Sequence, residues 1–338
     1  MTILSDISDL STIAILARGL PVPDAASIAE AKERQMSLTK PPGSLGRLEE
    51  MAVFMAGWQR TARPAIARAQ ALVFAGNHGI CAQGVNPFPQ EVTVQMVANF
   101  EAGGAAINQI CRVSGADLAV VALDLDRPTQ DFTAGPAMTE AETLDAMRRG
   151  AEAVDKGAQV LILGEMGIGN STIAAALACA SFGGAPEEWV GRGTGSDEAG
   201  RALKAEVIGR GIALHGGASP LGTLAAFGGR EQAAICGAII EARALRIPVI
   251  LDGFICTAAA APLYKADPRF LDHCLVGHQS AEPGHRKLLA AMEQTAILDL
   301  GMALGEGSGA GLALGVLRAA LECHNGMATF AEAGVSDA

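Results

Sequence analysis

A single glutamate interrupts an apolar stretch near the end of the chain. The segment LGMALGEGSGAGLALG (300–315) contains one charged residue, Glu306, which stands between two glycines. Burying a carboxylate in such surroundings is costly unless the group is paired or used. Glu306 could be an acid at a helix N-terminus, where the helix dipole favours negative charge. It could also be a general base, with the flanking glycines letting a flat substrate approach.

The segment GEMGIGNST (164–172) almost matches the P-loop pattern G-x-x-x-x-G-K-[ST]. Asn170 stands where the lysine that contacts the β- and γ-phosphates belongs, which weighs against a triphosphate. A strand followed by a glycine loop and a helix N-terminus can still bind a monophosphate through backbone N–H groups. The alternative is a tight turn in which Asn170 or Ser171 caps the helix.

Another glycine-rich loop, GRGTGSDEAGRALK (191–204), opens a predicted helix with Ser196 or Asp197 as its cap. Lys204 falls about two turns into that helix and could reach back towards a phosphate. A lysine on a helix is more often a solvated side chain. The segment GEGSGA (305–310) fits the weak dinucleotide pattern G-x-G-x-x-A, but too little chain follows it for the strand and acidic residue of that fold.

Other polar segments carry fewer signals. GNHGI (76–80) and NPFPQEVT (86–93) form one loop that leads into a helix, which Gln90 or Glu91 could cap, and His78 could be a core residue. GHQSAEPGHRK (277–287) contains histidines and a serine without a recognisable nucleophile–base–acid order. The cysteines are scattered singly and the histidines lack zinc spacing, so we expect no metal site and no cofactor.

Composition restricts the class of protein. The chain has 338 residues, 50% of them hydrophobic, which is enough for a sizeable core. A net charge of −11 argues against nucleic acid, although a small anionic ligand remains possible. The odd, dispersed set of 7 cysteines, the absence of a signal peptide and the lack of an apolar run long enough for a bilayer together predict a cytoplasmic protein without a membrane span.

Short β-rich runs alternate with helical segments along most of the chain. The runs are ALVFAG (71–76), LAVVALD (118–124), VLILGE (160–165), IPVILDG (247–253) and CLVGHQS (274–280). This alternation predicts an α/β fold with a doubly wound parallel sheet. Each run ends in small or polar residues, as expected where a ligand crevice lies at the carboxyl ends of the strands.

The two ends of the chain look different from the middle. SIAEAKERQMSL (27–38) and LGRLEEMAVFMAGWQ (45–59) are amphipathic helices separated by a proline-containing turn, and the last 30 residues or so also read as helix. We therefore predict a small helical domain from residues 1–65 joined by a C-terminal helix at 309–330. Residues 66–308 would form the large substrate-binding and catalytic α/β domain.

Taken together, the motifs resemble one enzyme family. They are KPPGSLGRLE, GNHGI with PFPQEVT, GEMGIGNST, GRGTGSDEAG, GGREQAAICGAI, ILDGFICTAAA, GHQSAEPGH and LDLGMALGEGSGA. Their order, from about Lys40 to Ala310, is similar to that in nicotinate-nucleotide–dimethylbenzimidazole phosphoribosyltransferases, which act in cobalamin biosynthesis. The N-terminal 25 residues and the tail after Asn325 carry no matching motif.

The resemblance implies a reaction and a site. Nicotinate mononucleotide and 5,6-dimethylbenzimidazole would give α-ribazole 5′-phosphate and nicotinate, with a Rossmann-like large domain and a homodimer. Glu306 would be the catalytic base and Glu165 a second catalytic carboxylate. Gln90 would lie near the benzimidazole, Lys204 and the GIGN loop at the ribose phosphate, and Ser280 near the nicotinate carboxylate. The substrate-binding residues implied in this way are Gln90, Gly167, Ile168, Gly169, Asn170, Gly193, Lys204, Ser280 and Leu304.

Two other interpretations remain open at this point. The first is that the protein is a P-loop-like kinase or NTPase. This hypothesis depends on GEMGIGNST alone, and Asn170 in place of the lysine argues against it. A binding module that senses nucleotides or corrinoid precursors would use the same crevice but give Glu306 no chemical role.

Overall fold

The computed structural model describes residues 1–193 and 195–336, and its centre is a six-stranded parallel sheet. The strands are β1 (Ala69–Ala75), β2 (Ala116–Ala122), β3 (Val160–Met166), β4 (Val249–Leu251), β5 (Cys274–His278) and β6 (Ala296–Leu298). Their order is β2-β1-β3-β4-β5-β6. The chain therefore reverses its direction across the sheet after β2, so that β1 and β3 become neighbours, as in doubly wound folds.

Helices occupy the connections between the strands. The α-helices are α1 (Leu10–Leu16), α2 (Ala25–Ser37), α3 (Arg47–Gln59), α4 (Glu91–Glu101), α5 (Ala106–Ser114), α6 (Glu140–Glu152), α7 (Asn170–Phe182), α8 (Glu198–His215), α9 (Pro220–Phe227), α10 (Arg230–Ala244), α11 (Phe254–Ala266), α12 (Pro283–Ala291), α13 (Ser308–Gly326) and α14 (Phe330–Ala333). Short 3₁₀ helices span Gly79–Gln83, Pro186–Glu188 and Pro268–Leu271.

The two faces of the sheet bury separate hydrophobic clusters. On β1, Leu72 and Phe74 point into a cluster with α1 and α6 to α12, whereas Ala71 and Val73 point into a cluster with α3, α4, α5 and α13. Residues along β3 and β4 alternate in the same way. Side chains that alternate into two buried layers explain why the strands read as continuous apolar runs.

The predicted α/β class and parallel sheet are confirmed. Each of the five apolar runs overlaps one strand. Strand β6 was not predicted, because three half-buried residues give too short a pattern to identify a strand. The predicted N-terminal helices correspond to α2 and α3. The division into domains at residues 65 and 308 stays a prediction; α3 and α13 share one hydrophobic cluster with β1 and β3.

Candidate active site

A cavity of about 220 Å³ opens at the carboxyl ends of β3, β4 and β5. The predicted site residues that line it are Glu165, Gly167, Ile168, Asn170, Gly193, Ser280, Leu304 and Glu306. The other three predicted residues lie next to this lining: Gly169 connects two lining residues, Lys204 contacts Ser171, and Gln90 is the N-cap residue of α4. The fold therefore brings segments far apart in sequence to one cavity.

Glu306 lies in a left-handed turn directly before α13. Gly305, Glu306 and Gly307 have φ angles of 88°, 64° and 83°. Left-handed backbone is unfavourable for a residue with a Cβ atom, so the turn is strained at Glu306 and favours glycine on either side. A Cβ on Gly305 would lie 2.5 Å from Glu165 Oε1, and one on Gly307 would lie 3.4 Å from the Gly164 Cα. Both glycines thus meet a conformational and packing requirement, and the expectation that they also admit a flat substrate stays a prediction.

Asp252, at the end of β4, holds this turn in place. Its two carboxylate oxygens accept hydrogen bonds from Gly307 N at 3.1 Å and from Ala310 N at 2.9 Å. It thereby satisfies two N–H groups at the start of α13, which would otherwise lack partners. Burial raises the pKa of Asp252 to about 7, although the bonds from Ala310 and Gly307 act in the opposite direction. Asp252 is a positioning residue for the turn that carries Glu306.

Glu165, the penultimate residue of β3, projects into the same region. It is buried, and Asn170 donates a hydrogen bond from Nδ2 to its Oε2. Burial raises the pKa of Glu165 well above its usual value, and the neighbouring carboxylates of Asp252, Glu231 and Glu306 add to that rise. A Cβ on Gly164 would lie 2.5 Å from Gly307 N. Because Gly164 has no side chain, the turn that contains Glu306 can pack directly against β3.

We call Glu165, Asp252 and Glu306 the acidic cluster. Burial also raises the pKa of Glu306, which is only 7% exposed. Within the described residues, the cavity lining contains Glu282 besides these three acids and no lysine or arginine. Carboxyl groups that are buried together share protons rather than ionising independently. The acidic cluster can therefore accept a proton and favours a positively charged ligand or transition state.

The first turn of α7, Gly193 and Lys204 form a second region, which we call the anion pocket. The helix begins at Asn170 after a left-handed Gly169 and lacks a side-chain cap, so the prediction that Asn170 or Ser171 caps it is wrong. Lys204 is 2% exposed, and its Nζ donates to Ser171 Oγ at 3.3 Å. Burial lowers the pKa of Lys204. A buried ammonium group beside a helix N-terminus is suited to an anionic ligand.

The remaining predicted side chains occupy supporting positions. Gln90 donates a hydrogen bond from Nε2 to the backbone oxygen of His78 and makes no side-chain cap for α4. His78 is buried with its Nε2 2.8 Å from Glu231 Oε1. Ser280 is buried beside the cavity, where its Oγ accepts from Glu282 N at 3.3 Å. For α8, Asp197 rather than Ser196 is the cap, accepting from Gly200 N at 2.8 Å.

Sequence reasoning overlooked several lining residues. Two of them are Asp252 and Glu282, which end the segments ILD and GHQSAE. Each is a carboxylate that follows a predicted strand, and this position could have identified it as a lining residue. Phe88, Val92 and Met96 form an apolar side of the cavity that only the docking of α4 reveals. Among the described residues, no group of three or more His, Cys, Asp or Glu side chains is arranged to hold a metal ion.

The fold and the site together define a class of protein. A doubly wound α/β chain with an anion pocket and an acidic cluster at the strand ends is suited to group transfer from a nucleotide. The family model described as phosphoribosyltransferase matches residues 20–335. The chain is thus a phosphoribosyltransferase, an enzyme of the pentosyltransferase class.

Relatives identify the particular family. A nicotinate-nucleotide–dimethylbenzimidazole phosphoribosyltransferase of Rhodobacter capsulatus is 66% identical over 330 residues, covering 98% of this chain and 99% of the relative. One from Ruegeria pomeroyi is 58% identical over 334 residues, with 99% of each covered. A crystal structure of the Thermus thermophilus enzyme has a TM-score of 0.87 at 42% identity, covering 93% of this chain and 100% of that one. The chain belongs to the family of nicotinate-nucleotide–dimethylbenzimidazole phosphoribosyltransferases, which confirms the resemblance.

The structure also argues against a P-loop kinase or NTPase. Asn170, which replaces the P-loop lysine, donates its side-chain amide to Glu165. In the described part of the chain, none of the helices has the length and apolar character needed to cross a membrane.

Proposed function

We propose that the protein transfers the phosphoribosyl group of nicotinate mononucleotide to 5,6-dimethylbenzimidazole, for the lower-ligand nucleotide of cobalamin. The products are α-ribazole 5′-phosphate and nicotinate. The observation that carries this proposal is the presence of an acidic cluster and an anion pocket around one cavity. The names of relatives at 66% and 58% identity support the choice of substrates.

The proposed chemistry needs one proton acceptor. A ring nitrogen of dimethylbenzimidazole forms a bond to C1′ while the bond between C1′ and the pyridinium nitrogen breaks. The electron pair of the broken bond stays on that nitrogen, which gives neutral-ring nicotinate. The leaving ring departs without needing a proton. The second benzimidazole nitrogen becomes acidic as the new bond forms, and Glu306 takes its proton as general base. Attack opposite the leaving group inverts C1′ and converts the β-nucleotide into the α-product.

The other residues have supporting roles in this proposal. Glu165 stabilises the positive charge that develops on the ribose, for which its ionised form would be the effective one. Asp252 holds the turn that carries Glu306 through Gly307 and Ala310. The 5′-phosphate lies in the anion pocket, where Gly167, Ile168 and Gly169 shape the loop before α7. Ser280 lies near the nicotinate carboxylate, while Gln90, Leu304 and the apolar side of the cavity adjoin the benzimidazole.

Two properties of the whole protein belong to the same proposal. The enzyme acts in the cytoplasm, which agrees with seven cysteines that all remain thiols in the structure. It works as a homodimer. Exposed apolar residues near the cavity, such as Phe88 at 47% and Leu304 at 56%, suit a surface that a second copy covers.

Product analysis tests the reaction. Purified protein is incubated with nicotinate mononucleotide and dimethylbenzimidazole, and the products are separated and their anomeric configuration determined by NMR. We expect α-ribazole 5′-phosphate and nicotinate in equal amounts, and neither product when the benzimidazole is omitted. Release of nicotinate without the nucleotide product, or a β-configured product, would contradict the proposal.

A further inference from the structure

Glu282 stands between the active-site cavity and a neighbouring cavity of about 320 Å³. Glu282, Gly193 and Ala303 line both cavities. Glu282 is the N-cap residue of α12, yet its side chain makes no capping bond to that helix. It reaches across to the loop before α8, where Oε1 accepts a hydrogen bond from Gly193 N at 2.9 Å.

The loop is shaped around this carboxylate. A Cβ on Gly191 would overlap Glu282 Oε2, so a side chain at this position would displace the carboxylate. At Gly193, which has a φ of 51°, a Cβ would lie 3.0 Å from Lys204 Nζ and 2.6 Å from Ser171 Oγ. Glu282 therefore uses a backbone donor that belongs to the anion pocket. Burial raises the pKa of Glu282, while the Gly193 bond and the Lys204 charge counteract that rise.

We propose that Glu282 occupies part of the anion pocket as an internal anion and must leave Gly193 when a phosphorylated nucleotide binds. The inference rests on the proposed function, which places the 5′-phosphate at Gly193 and Lys204. A carboxylate and a phosphate repel one another and compete for the same N–H group. With its carboxylate at Gly193, Glu282 gives the buried Lys204 a nearby opposite charge, which lowers the cost of burying it.

This competition makes Glu282 a determinant of specificity and release. It weakens the binding of every ligand that carries the phosphate, including the phosphorylated product. It leaves a nucleoside without the phosphate unaffected, because such a ligand has no group to place at Gly193. Glu282 thus limits the affinity gained from the phosphate and favours departure of the product.

Direct binding measurements test the proposal without relying on turnover. Calorimetry compares nicotinate mononucleotide with nicotinate riboside, the same compound lacking the phosphate, on wild type, Glu282→Gln and Glu282→Ala. We expect Glu282→Gln to bind the mononucleotide about tenfold more tightly, the scale of one charge-assisted hydrogen bond. Glu282→Ala, which also removes the competing acceptor, should bind it more tightly still. Riboside affinity should stay unchanged, which also reports that both variants are folded.

The exposed Glu187 supplies a control of equal charge, since Glu187→Gln removes one carboxylate outside the cavity. It should bind both ligands like wild type. Mononucleotide binding that is unchanged or weaker in both Glu282 variants would overturn the proposal, as would equal tightening for the two ligands.

Lys204→Ala separates this inference from the proposed function. If that variant loses the preference for mononucleotide over riboside while the Glu282 variants behave like wild type, the phosphate position stands and the inference fails. If Lys204→Ala keeps the full preference, Lys204 does not contact the phosphate, and the proposed placement of the phosphate at Gly193 and Lys204 is wrong.

Discussion

The acidic cluster and the anion pocket adjoin one cavity but differ in the sign of their charged groups. In the acidic cluster, burial raises the pKa of Glu165, Asp252 and Glu306, so these carboxyl groups hold a proton more readily than exposed ones. In the anion pocket, a buried ammonium group stands beside the N-terminus of α7. A nicotinate nucleotide carries a cationic ring and an anionic phosphate. The contrast between the two regions is therefore suited to orient such a ligand in the cavity.

The two regions also differ in backbone strain. Glu306 has a left-handed φ of 64°, a conformation that costs roughly 1–2 kcal/mol for a non-glycine residue. Hydrogen bonds from Gly307 and Ala310 to Asp252 hold the turn in that state. Lys204 lies inside the regular helix α8, where no such compensation is required. Of the two regions, the acidic cluster is therefore the one that contains a strained non-glycine residue.

The substitution with the largest expected effect on turnover is Glu306→Gln, which removes one carboxylate from the acidic cluster. Glu306→Gln keeps the shape and can accept a hydrogen bond from the benzimidazole N–H, but it cannot take the proton. Both substrates should bind while single-turnover formation of α-ribazole phosphate falls by about 10²–10⁴, the usual share of general-base catalysis. Near-normal turnover would mean that another group, Glu165 first, accepts the proton.

The pH dependence sharpens the same experiment. A general base must be ionised, so the wild-type rate should rise with pH through the pKa of Glu306. Because burial raises that pKa, the rising limb should lie above the pH range of an exposed glutamate. Glu306→Gln should lack this limb, whereas the exposed Glu187→Gln variant should retain it.

A smaller effect is expected in the anion pocket. Lys204→Ala removes a buried cation and should weaken nicotinate mononucleotide roughly ten- to a hundredfold, since a charge-assisted hydrogen bond is worth about 1.5–3 kcal/mol. Dimethylbenzimidazole affinity should change little. Equilibrium binding of each substrate separately checks this difference, and the exposed Arg210→Ala, another cation removed from α8, is the control. Equal losses for the two substrates would show that Lys204 does not contact the phosphate.

The sequence predicted the acidic cluster less completely than the sheet. Apolar runs located β1 to β5 because both faces of the sheet are buried, and that pattern is local. Glu306 stood out as the one charge inside an apolar segment, whereas Glu165 was predicted only from the family resemblance. The role of Asp252 could not be read in the same way, because it depends on α13 docking above β4, a contact between residues more than 50 positions apart.

The glycines show a similar limit. Their clustering predicted a ligand crevice, but not the reason for each position. Gly305 and Gly307 are needed for a left-handed turn, and Gly164 for the close approach of that turn to β3. Lys204 could not be distinguished from a solvated lysine by its spacing alone. Its burial is settled by tertiary packing, which brings it against Ser171.

Protein stability gives a weaker test of the acidic cluster. The pKa of Glu165 is raised in the folded state, so wild type loses stability as pH rises above the ordinary glutamate pKa of 4.5 towards the folded value. Glu165→Gln cannot ionise and escapes this loss. Its melting temperature should therefore exceed that of wild type by about 2 °C or more near neutral pH, and the difference should shrink towards pH 4.5. A difference independent of pH in differential scanning calorimetry would contradict the proposed cost of ionising Glu165.

The smallest effect is expected from the removal of metal ions. This test distinguishes an acidic cluster that accepts protons from one that binds a cation. Three carboxylates near one cavity could suggest Mg²⁺, but no described group of His, Cys, Asp or Glu side chains has a metal-binding arrangement. A monophosphate can be held by backbone N–H groups and Lys204 without a bridging ion. Turnover of the proposed reaction should therefore be unchanged after exhaustive EDTA treatment and removal of the chelator, with an untreated sample carried through the same steps. A loss of activity that Mg²⁺ or Zn²⁺ restores would contradict this account of the site, in which Glu306 acts as a free base and no cation is needed.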